Sequence, residues 1–249
     1  MPTISAVVIT YNQAHKLEPT LKALQKVTKD IVVIDAFSTD DTQEICTKLQ
    51  VRFYQRTWDG YSTQKNYGNS LAANNWILSI DSDEVVSDEL INNIKEIESI
   101  KVDYSAFYLP FRTIFCGKML HYGAGNPEAH IRLFNKNVIQ WNTSGVHEGL
   151  TIDPEHRVGT LKGYVYHYTV DTLPEFYAKN EKYSSLFALS RKNNTQPNYI
   201  LMYTSPFFRF VKEYILKLGF LDGKYGWIIA KENAYYTYLK YKKISTISQ

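Results

Sequence analysis

The sequence has few cysteines, no long apolar run and no concentrated charge, and each shortage excludes a class of protein. Cys46 and Cys116 are the only cysteines among 249 residues, and their spacing matches neither a zinc site nor a disulfide framework. No run of about 18 apolar residues occurs, so we expect no membrane-spanning helix. The formal net charge is only +3, and the basic residues form no concentrated stripe of the kind that binds nucleic acids. These exclusions leave a globular protein of a reducing compartment, and the mild positive charge is compatible with a weakly anionic partner.

Glycine-rich phosphate-binding motifs are also missing. The sequence contains neither G-x-G-x-x-G nor G-x-x-x-x-G-K-[ST], which disfavours a dinucleotide-binding Rossmann domain and a P-loop. Residues 1–5 lead into a strand pattern without a charged leader, so we expect a cytoplasmic protein. Tyrosine, by contrast, is abundant, with 20 copies. Its ring and hydroxyl suit sugar-binding surfaces, interfaces and membrane headgroups as well as ordinary packing.

Short apolar runs alternate with helical periods over the first hundred residues. The runs 6–9, 31–34 and 76–80 are typical of buried parallel strands, and apolar residues between them recur at helical spacing. After Tyr104 the pattern changes to strands separated by turns, and residues 173–192 return to a helical pattern. We therefore predict an α/β fold with a mostly parallel sheet flanked by helices, followed by a helical C-terminal extension.

Polar residues follow three of the predicted strands at the point where each strand ends. They are Thr10-Tyr11-Asn12, Asp35 and Asp81-Ser82-Asp83-Glu84. In a doubly wound sheet, ligands bind beyond the carboxyl ends of the strands. Two aspartates on one turn can hold a hard divalent cation, which in turn can bridge the phosphates of a nucleotide. The alternative is a turn whose aspartates only cap the next helix.

Four motifs occur in a fixed order along the first 84 residues. They are Val8-Ile9-Thr10-Tyr11-Asn12, Val33-Ile34-Asp35-Ala36-Phe37-Ser38-Thr39-Asp40, Gln64-Lys65-Asn66 and Ile80-Asp81-Ser82-Asp83-Glu84. Together they resemble glycosyltransferase family 2, whose fold is called GT-A. Four later segments are similar to the branch of bacterial lipopolysaccharide inner-core β-1,4-glucosyltransferases: Trp58-Asp59-Gly60-Tyr61, Arg132-Leu133-Phe134, Val146-His147-Glu148-Gly149 and Leu161-Lys162-Gly163. The likeness weakens past Asn193.

The resemblance implies a metal-dependent, inverting transfer of a hexose. The expected donor is UDP-glucose, and the expected acceptor is a lipopolysaccharide core or a related bacterial surface glycan. Residues 1–170 would form the GT-A-like catalytic domain, with a nucleotide-sugar-binding half over 1–103 and an acceptor half over 104–170, and residues 171–249 would form the helical extension. The alternatives are another UDP-sugar, a lipid-linked acceptor, or a non-catalytic scaffold that binds nucleotide sugars.

The resemblance also assigns the base end of the donor site. Thr10, Tyr11 and Asn12 would border the base and ribose, and Asp35 would contact the uracil. Two positions depart from the family pattern. Gln13 replaces a common glutamate, and Phe37 replaces a small residue.

The diphosphate end is assigned in the same way. Lys65 would face the diphosphate, although a solvated helix position is the alternative. Asp81 would meet the ribose or the metal, and Ser82 would contact the nucleotide sugar. Asp83 would be the principal ligand of Mg or Mn. Arg132 would bind the diphosphate or an anionic acceptor, with a surface ion pair as the alternative.

An inverting transfer needs a base that takes the proton from the attacking hydroxyl of the acceptor. Glu148 is the first candidate. His147 competes with it, because an imidazole can act as a base or as a metal ligand. Glu84 is third. His167 is suited to completing a metal site or, as a lone histidine among tyrosines, to packing in the core.

The segment 206–221 combines phenylalanine, tyrosine and aliphatic residues with Arg209, Lys212 and Lys217. This composition is typical of a segment that lies on a membrane surface. It is equally typical of a helix packed on the catalytic domain. Peripheral membrane association is therefore one of two interpretations.

Overall fold

The computed structural model describes residues 3–99, 103–125, 127–142, 149–191 and 198–247. The strands are β1 Ile4–Thr10, β2 Ile31–Asp35, β3 Arg52–Gln55, β4 Trp76–Asp81, β5 Glu84–Val86, β6 Ala106–Phe115, β7 Lys118–Met119, β8 Glu128–Asn135, β9 Gln140–Trp141, β10 Leu150–Thr151, β11 Val158–Thr160 and β12 Val165–Val170. The helices are α1 Ala14–Leu24, α2 Thr42–Lys48, α3 Tyr61–Leu71, α4 Asp88–Ser99, α5 Leu173–Arg191, α6 Tyr199–Phe210 and α7 Gly223–Ile247. The chain forms two compact units, one of residues 1–111 and 128–167 and the other of residues 112–127 and 168–249.

The first unit is built on a sheet that is parallel in its N-terminal part. Strands β3, β2, β1 and β4 lie side by side in that order and are all parallel. β8 then pairs antiparallel with β4, and β6 pairs antiparallel with β8. β5 pairs antiparallel with β12. The predicted α/β fold with helices flanking a mostly parallel sheet is confirmed.

The central strands are buried on both faces, which explains their continuous apolar runs. All seven residues of β1 are buried. Val8 packs on one face with Leu21 of α1 and Ile94 of α4. Its neighbour Val7 points to the other face and packs with Leu71 of α3. Helices therefore cover the sheet on both sides.

Gly68 allows α3 to lie directly on β1. A Cβ atom at this position would stand 2.4 Å from Cγ1 of Val7, so no larger residue fits without a shift of the helix or the strand. Lys65 lies one turn before Gly68 and is buried on the same side of α3. The close packing at Gly68 thus carries Lys65 onto the sheet.

The second unit is mainly helical around a core of Phe115, Leu120, Val170, Phe176 and Ile229. A π-helical turn over Val211–Leu216 and a 3-10 turn over Gly219–Asp222 separate α6 from α7. The prediction of helices in the C-terminal region is confirmed. Among the described helices, none is long and apolar enough to cross a bilayer.

Candidate active site

Three predicted site segments meet at the carboxyl ends of β1, β2 and β4. In the parallel ladders, Thr10 is paired with Asp35 and Ile9 is paired with Asp81. Neighbouring strands are about 4.8 Å apart. The sequence-predicted polar residues of these strand ends are therefore brought to one edge of the sheet.

Hydrogen bonds tie the loop after β1 to the loop after β2. The Asn12 backbone N–H donates to Ser38 Oγ over 2.7 Å, and Asn12 Oδ1 accepts from the Thr39 N–H over 2.8 Å. The carboxylate of Asp35 is fully buried and accepts from the backbone N–H and hydroxyl of Ser38 and from Gln55 Nε2. The two loops therefore form one pre-ordered unit around Asp35.

Two aromatic rings stand exposed on these tied loops. Tyr11 is 57% exposed and Phe37 is 53% exposed. The backbone of Asn12 and Phe37 is left-handed, with φ of 51° and 62°. This conformation costs a residue such as phenylalanine about 1–2 kcal/mol. Beneath the loops, the buried hydroxyl of Thr10 has no hydrogen-bond partner within the described part of the chain.

A largely buried cluster of four charged residues lies at the end of β4. Lys65 Nζ is 3.1 Å from Asp81 Oδ1, and Arg132 Nη2 is 3.1 Å from Asp81 Oδ2. The same Nη2 is 2.8 Å from Glu84 Oε1. Glu84 Oε2 accepts the Asp81 backbone N–H over 2.9 Å. Only 3% of the Lys65 side chain is exposed, so the interpretation as a solvated helix residue is wrong. With 12% of its side chain exposed, Arg132 forms a buried ion pair and not the surface pair considered as its alternative.

Burial and neighbouring charges shift the pKa values of Asp81 and Glu84 in opposite directions. Burial opposes ionisation of Asp81, but the positive charges of Lys65 and Arg132 outweigh it and hold the pKa of Asp81 well below its usual range. Burial dominates at Glu84, and the charge of Asp81 adds to it, so the pKa of Glu84 is raised despite Arg132. The carboxylates also raise the pKa of Arg132, against the effect of its burial. Contact with the two cations thus favours the ionised form of Asp81.

Asp83 lies beside a histidine from a distant part of the sequence. Antiparallel pairing of β12 with β5 places His167 opposite Glu84, and His167 Nε2 is 3.5 Å from Asp83 Oδ2. Burial opposes protonation of His167, but the neighbouring carboxylates, Asp83 first, raise its pKa. The intervening Ser82 is buried, and its carbonyl oxygen accepts from the Thr20 hydroxyl over 3.0 Å. Within the described residues, no group of three or more His, Cys, Asp or Glu side chains could hold a metal ion by itself.

Trp141 closes one side of the charged cluster. Its ring centroid is 4.6 Å from Lys65 Nζ and 6.0 Å from Arg132 Cζ. Its backbone N–H and C=O both bond to the side chain of Asn66. Trp141 is buried, in line with the core-packing interpretation. Its indole Nε1 and Arg132 Nε are buried donors without a partner in the described part of the molecule.

The sequence was compared with models of known protein families. The model described as Glycosyl transferase family 2 matches residues 5–150, which is more than half of the chain and includes the four charged residues. The chain belongs to glycosyl transferase family 2.

Relatives of this family 2 glycosyltransferase match the whole chain or part of it. An uncharacterized glycosyltransferase of Rickettsia typhi is 27% identical over 259 residues, covering 100% of this chain and 88% of the relative. The glycosyltransferase SunS of Bacillus subtilis is 29% identical over 102 residues, covering 40% of this chain and 24% of SunS.

Solved structures share the fold. The mannosyltransferase PcManGT from Pyrobaculum calidifontis, in complex with GDP-Man and Mn²⁺, superposes with a TM-score of 0.51 at 15% identity, covering 99% of this chain and 84% of that one. S. aureus TarS in complex with UDP-GlcNAc gives a TM-score of 0.50 at 15% identity, covering 99% and 90%. The predicted GT-A-like fold is confirmed.

The two leading candidates for the catalytic base in this glycosyltransferase lie outside the described residues. His147 and Glu148 belong to the segment 143–148, so their roles stay predictions. Glu84, the third candidate, is 2% exposed and is held by Arg132 and the Asp81 N–H. Its position suits fixing the Asp81 turn better than meeting a sugar hydroxyl.

Two polar residues that share a strand with the predicted Arg132 were missed in the sequence, namely Glu128 and His130. Glu128, His130 and Arg132 alternate along β8 and therefore share one face of the sheet. His130 Nε2 is 3.5 Å from Glu128, and the His130 ring packs edge-on against Phe111 at 4.9 Å. Arg132 also lies over Phe111, with 5.5 Å from Cζ to the ring centroid. The alternation Glu-x-His-x-Arg was the signal that could have revealed this row.

Proposed function

We propose that this enzyme transfers glucose from UDP-glucose, with inversion at the anomeric carbon, to a hydroxyl of a lipopolysaccharide core or a related bacterial surface glycan. The observation that carries the proposal is the buried cluster of Lys65, Arg132, Asp81 and Glu84 at the carboxyl ends of the parallel strands. Such a cluster fixes the Lys65 ammonium and the Arg132 guanidinium at the strand ends, where a nucleotide diphosphate would lie. Another UDP-sugar or a lipid-linked acceptor is the alternative within the same chemistry.

The tied loops after β1 and β2 would hold the nucleoside. The exposed ring of Tyr11 offers a flat apolar face to a base, and Asn12 is already fixed by Ser38 and Thr39. Asp35 is a buried acceptor held from two sides, which suits recognition of an imide N–H of uracil. Because these groups are ordered before the ligand arrives, little conformational entropy is lost on binding.

The diphosphate would lie between the buried cations and Asp83. Asp83 and His167 fit a divalent cation by their donor atoms, a carboxylate oxygen and an imidazole nitrogen, with the diphosphate and water completing the coordination. Mg²⁺ or Mn²⁺ held there would stabilise the charge of the departing diphosphate. Asp81 already contacts Lys65 and Arg132 with both oxygens, so we assign it to orienting these cations and to the ribose before the metal.

The acceptor hydroxyl would be deprotonated by Glu148, with His147 as the competitor. The carboxylate must accept the proton as the oxygen attacks the anomeric carbon on the face opposite the diphosphate. Arg132 or the neighbouring His130 and Glu128 would orient an acceptor along β8. We place the reaction in the cytoplasm at the inner face of the membrane, where a lipid-anchored glycan would be built.

The test is UDP release from a panel of UDP-sugars with Mg²⁺, Mn²⁺ or EDTA, with and without a truncated core oligosaccharide. We expect release from UDP-glucose that the acceptor stimulates and EDTA abolishes. Asp83→Asn and Glu148→Gln should each lower the rate by at least about 100-fold, as the loss of a key catalytic group does. The matched controls are Asp88→Asn, whose carboxylate is exposed beside Lys26, and Glu155→Gln.

The outcomes separate the candidate functions. A β-linked product, read by NMR, would support inversion, whereas an α-linked product would refute it. Full activity of Asp83→Asn would overturn the metal-site assignment. UDP binding without release from any donor would favour a non-catalytic nucleotide-sugar-binding scaffold.

A further inference from the structure

The second unit carries a large apolar surface that the proposed chemistry does not use. Twelve large apolar side chains between residues 199 and 227 are each more than 40% exposed. The six most exposed are Ile200, Leu216, Phe208, Tyr203, Phe207 and Tyr199. We call residues 199–227 the apolar surface. Soluble monomers seldom expose contiguous apolar patches beyond a few hundred Å², and so many exposed apolar side chains therefore indicate an interaction surface.

The apolar surface is held in shape from within. Phe210 stacks on Tyr214 with 5.2 Å between the ring centroids. Trp227 of α7 meets both rings edge-on, at 5.4 Å and 5.3 Å. These contacts join α6, the π-helical turn and α7. The exposed side chains therefore project from an ordered scaffold.

Within the stretch 198–231, the exposed charged side chains are all positive. The stretch 198–231 contains five basic residues, namely Arg209, Lys212, Lys217, Lys224 and Lys231. Its two acidic residues, Glu213 and Asp222, are both buried. Glu213 accepts from Arg209 and Asn233, and Asp222 accepts from the backbone N–H groups of His121 and Tyr122. No carboxylate of this stretch is left exposed to oppose the cations.

This combination fits an anionic bilayer surface. Aromatic and aliphatic side chains enter the boundary between headgroups and acyl chains, while lysine and arginine reach the phosphates. A symmetric pair of copies would bring the same cations against each other without exposed carboxylates on this stretch to neutralise them. Charge complementarity therefore favours anionic lipid over a second copy of the chain.

We propose that residues 199–227 dock in the plane of a membrane that contains anionic phospholipid. This deepens the proposed function, because it would bring the enzyme to an acceptor anchored in lipid. The binding itself requires neither donor nor acceptor. It can therefore be tested separately from the transferase activity.

The experiment is co-sedimentation of the full chain with phosphatidylcholine vesicles, with and without phosphatidylglycerol, at low and high salt. We expect binding that needs phosphatidylglycerol and weakens in high salt. Lys212→Glu with Lys217→Glu should lower the partition coefficient at least about 25-fold, since each cation near such a surface contributes about fivefold. Phe208→Ser with Leu216→Ser should lower the partition coefficient at least about tenfold, because two large apolar side chains that would enter the bilayer boundary are removed.

Matched controls come from exposed positions of the first unit. Val138→Ser and Lys95→Glu remove an exposed apolar and an exposed basic side chain there and should leave vesicle binding unchanged. All variants should keep wild-type UDP release with a water-soluble acceptor, which shows that the first unit is folded. The charge variant keeps every apolar side chain, so it tests the proposal even if the apolar variant misfolds.

Three results would overturn the proposal. The first is equal binding to vesicles with and without phosphatidylglycerol, and the second is no binding to either. The third is a dimer in light scattering that Phe208→Ser with Leu216→Ser converts to a monomer, which would assign the surface to a second copy of the chain. A lack of transferase activity beside normal vesicle binding would count against the proposed function and leave the docking surface standing.

Discussion

Replacing Arg132 with methionine tests whether the charged cluster is energetically coupled. The substitution keeps much of the apolar length of the side chain and removes the guanidinium that contacts Asp81 and Glu84. Glu84 is 2% exposed in its side chain and would lose its ion pair. Asp81 is 29% exposed and would keep Lys65. The main effect should therefore be an unpaired charge at Glu84.

The expected cost follows from that burial. Removing one partner of a buried ion pair typically destabilises a protein by about 3–5 kcal/mol. Because Asp81 is partly exposed and still paired, we expect the lower end, about 3 kcal/mol, at pH 8. Loss of Arg132 also raises the pKa of Glu84 further, above its value in the unfolded chain. The folded variant then takes up a proton as the pH falls, so its deficit should shrink towards pH 5.

The measurement is the free energy of unfolding from urea titrations followed by tryptophan fluorescence at pH 8 and pH 5. Arg157→Met is the matched control, because Arg157 forms an exposed pair with Asp103, with side chains 61% and 89% exposed. That pair should contribute less than about 1 kcal/mol at either pH. Equal losses for both variants, or an Arg132→Met deficit that grows as the pH falls, would refute the coupling.

Three further predictions concern other elements of the first unit. Burial opposes ionisation of Asp30, but hydrogen bonds from Ser5 and Arg52 lower its pKa, so the stability that its carboxylate contributes is present above pH ~4 and is lost at lower pH. Asp30→Asn should lower the free energy of unfolding by about 1.5–3 kcal/mol at pH 7 in urea titrations. A deficit that stays constant down to pH 2 would contradict this. Gly68→Ala should destabilise the protein by about 1–3 kcal/mol and slow UDP release, since the new Cβ would clash with the Val7 side chain of β1. Unchanged stability and unchanged UDP release would show that α3 can shift freely. Burial first, and then the carboxylate of Asp35, raise the pKa of the Cys46 thiol to about 12. Iodoacetamide at pH 8.5 should therefore label Cys46 only when the protein is unfolded in urea. Labelling of the folded protein, detected by mass spectrometry, would disprove this protection.

The gathering of polar residues at one edge of the sheet could be predicted from the sequence because it depends on local patterns. Buried parallel strands have a recognisable apolar pattern, and their carboxyl ends necessarily share one edge. Thr10, Asp35 and Asp81 each follow such a run directly. The pairing of Thr10 with Asp35 and of Ile9 with Asp81 was not predicted, because it also depends on the strand order β3-β2-β1-β4 and on the register of the strands.

The contacts made by later residues could not be predicted in this way. His167 reaches Asp83 only because β12 pairs antiparallel with β5, across more than 80 residues of sequence. The sequence favoured packing of His167 in the core, but 37% of its side chain is exposed and its Nε2 lies beside Asp83. Arg132 likewise could not be paired with Glu84 until β8 was known to lie beside β4. Antiparallel strands can be joined in many orders, and charge patterns alone do not select among them.

Burial explains why the two aspartates of one short motif have different surroundings. Lys65 and Arg132 are almost completely removed from water, and an unpaired buried cation would cost several kcal/mol. Asp81 contacts both cations and so stabilises the free protein as well as the site. Asp83 contacts neither in the described contacts, and its neighbour is His167, whose raised pKa reflects the surplus of negative charge on that side. The protein thus pairs its buried cations with the first aspartate and leaves the second beside an imidazole nitrogen.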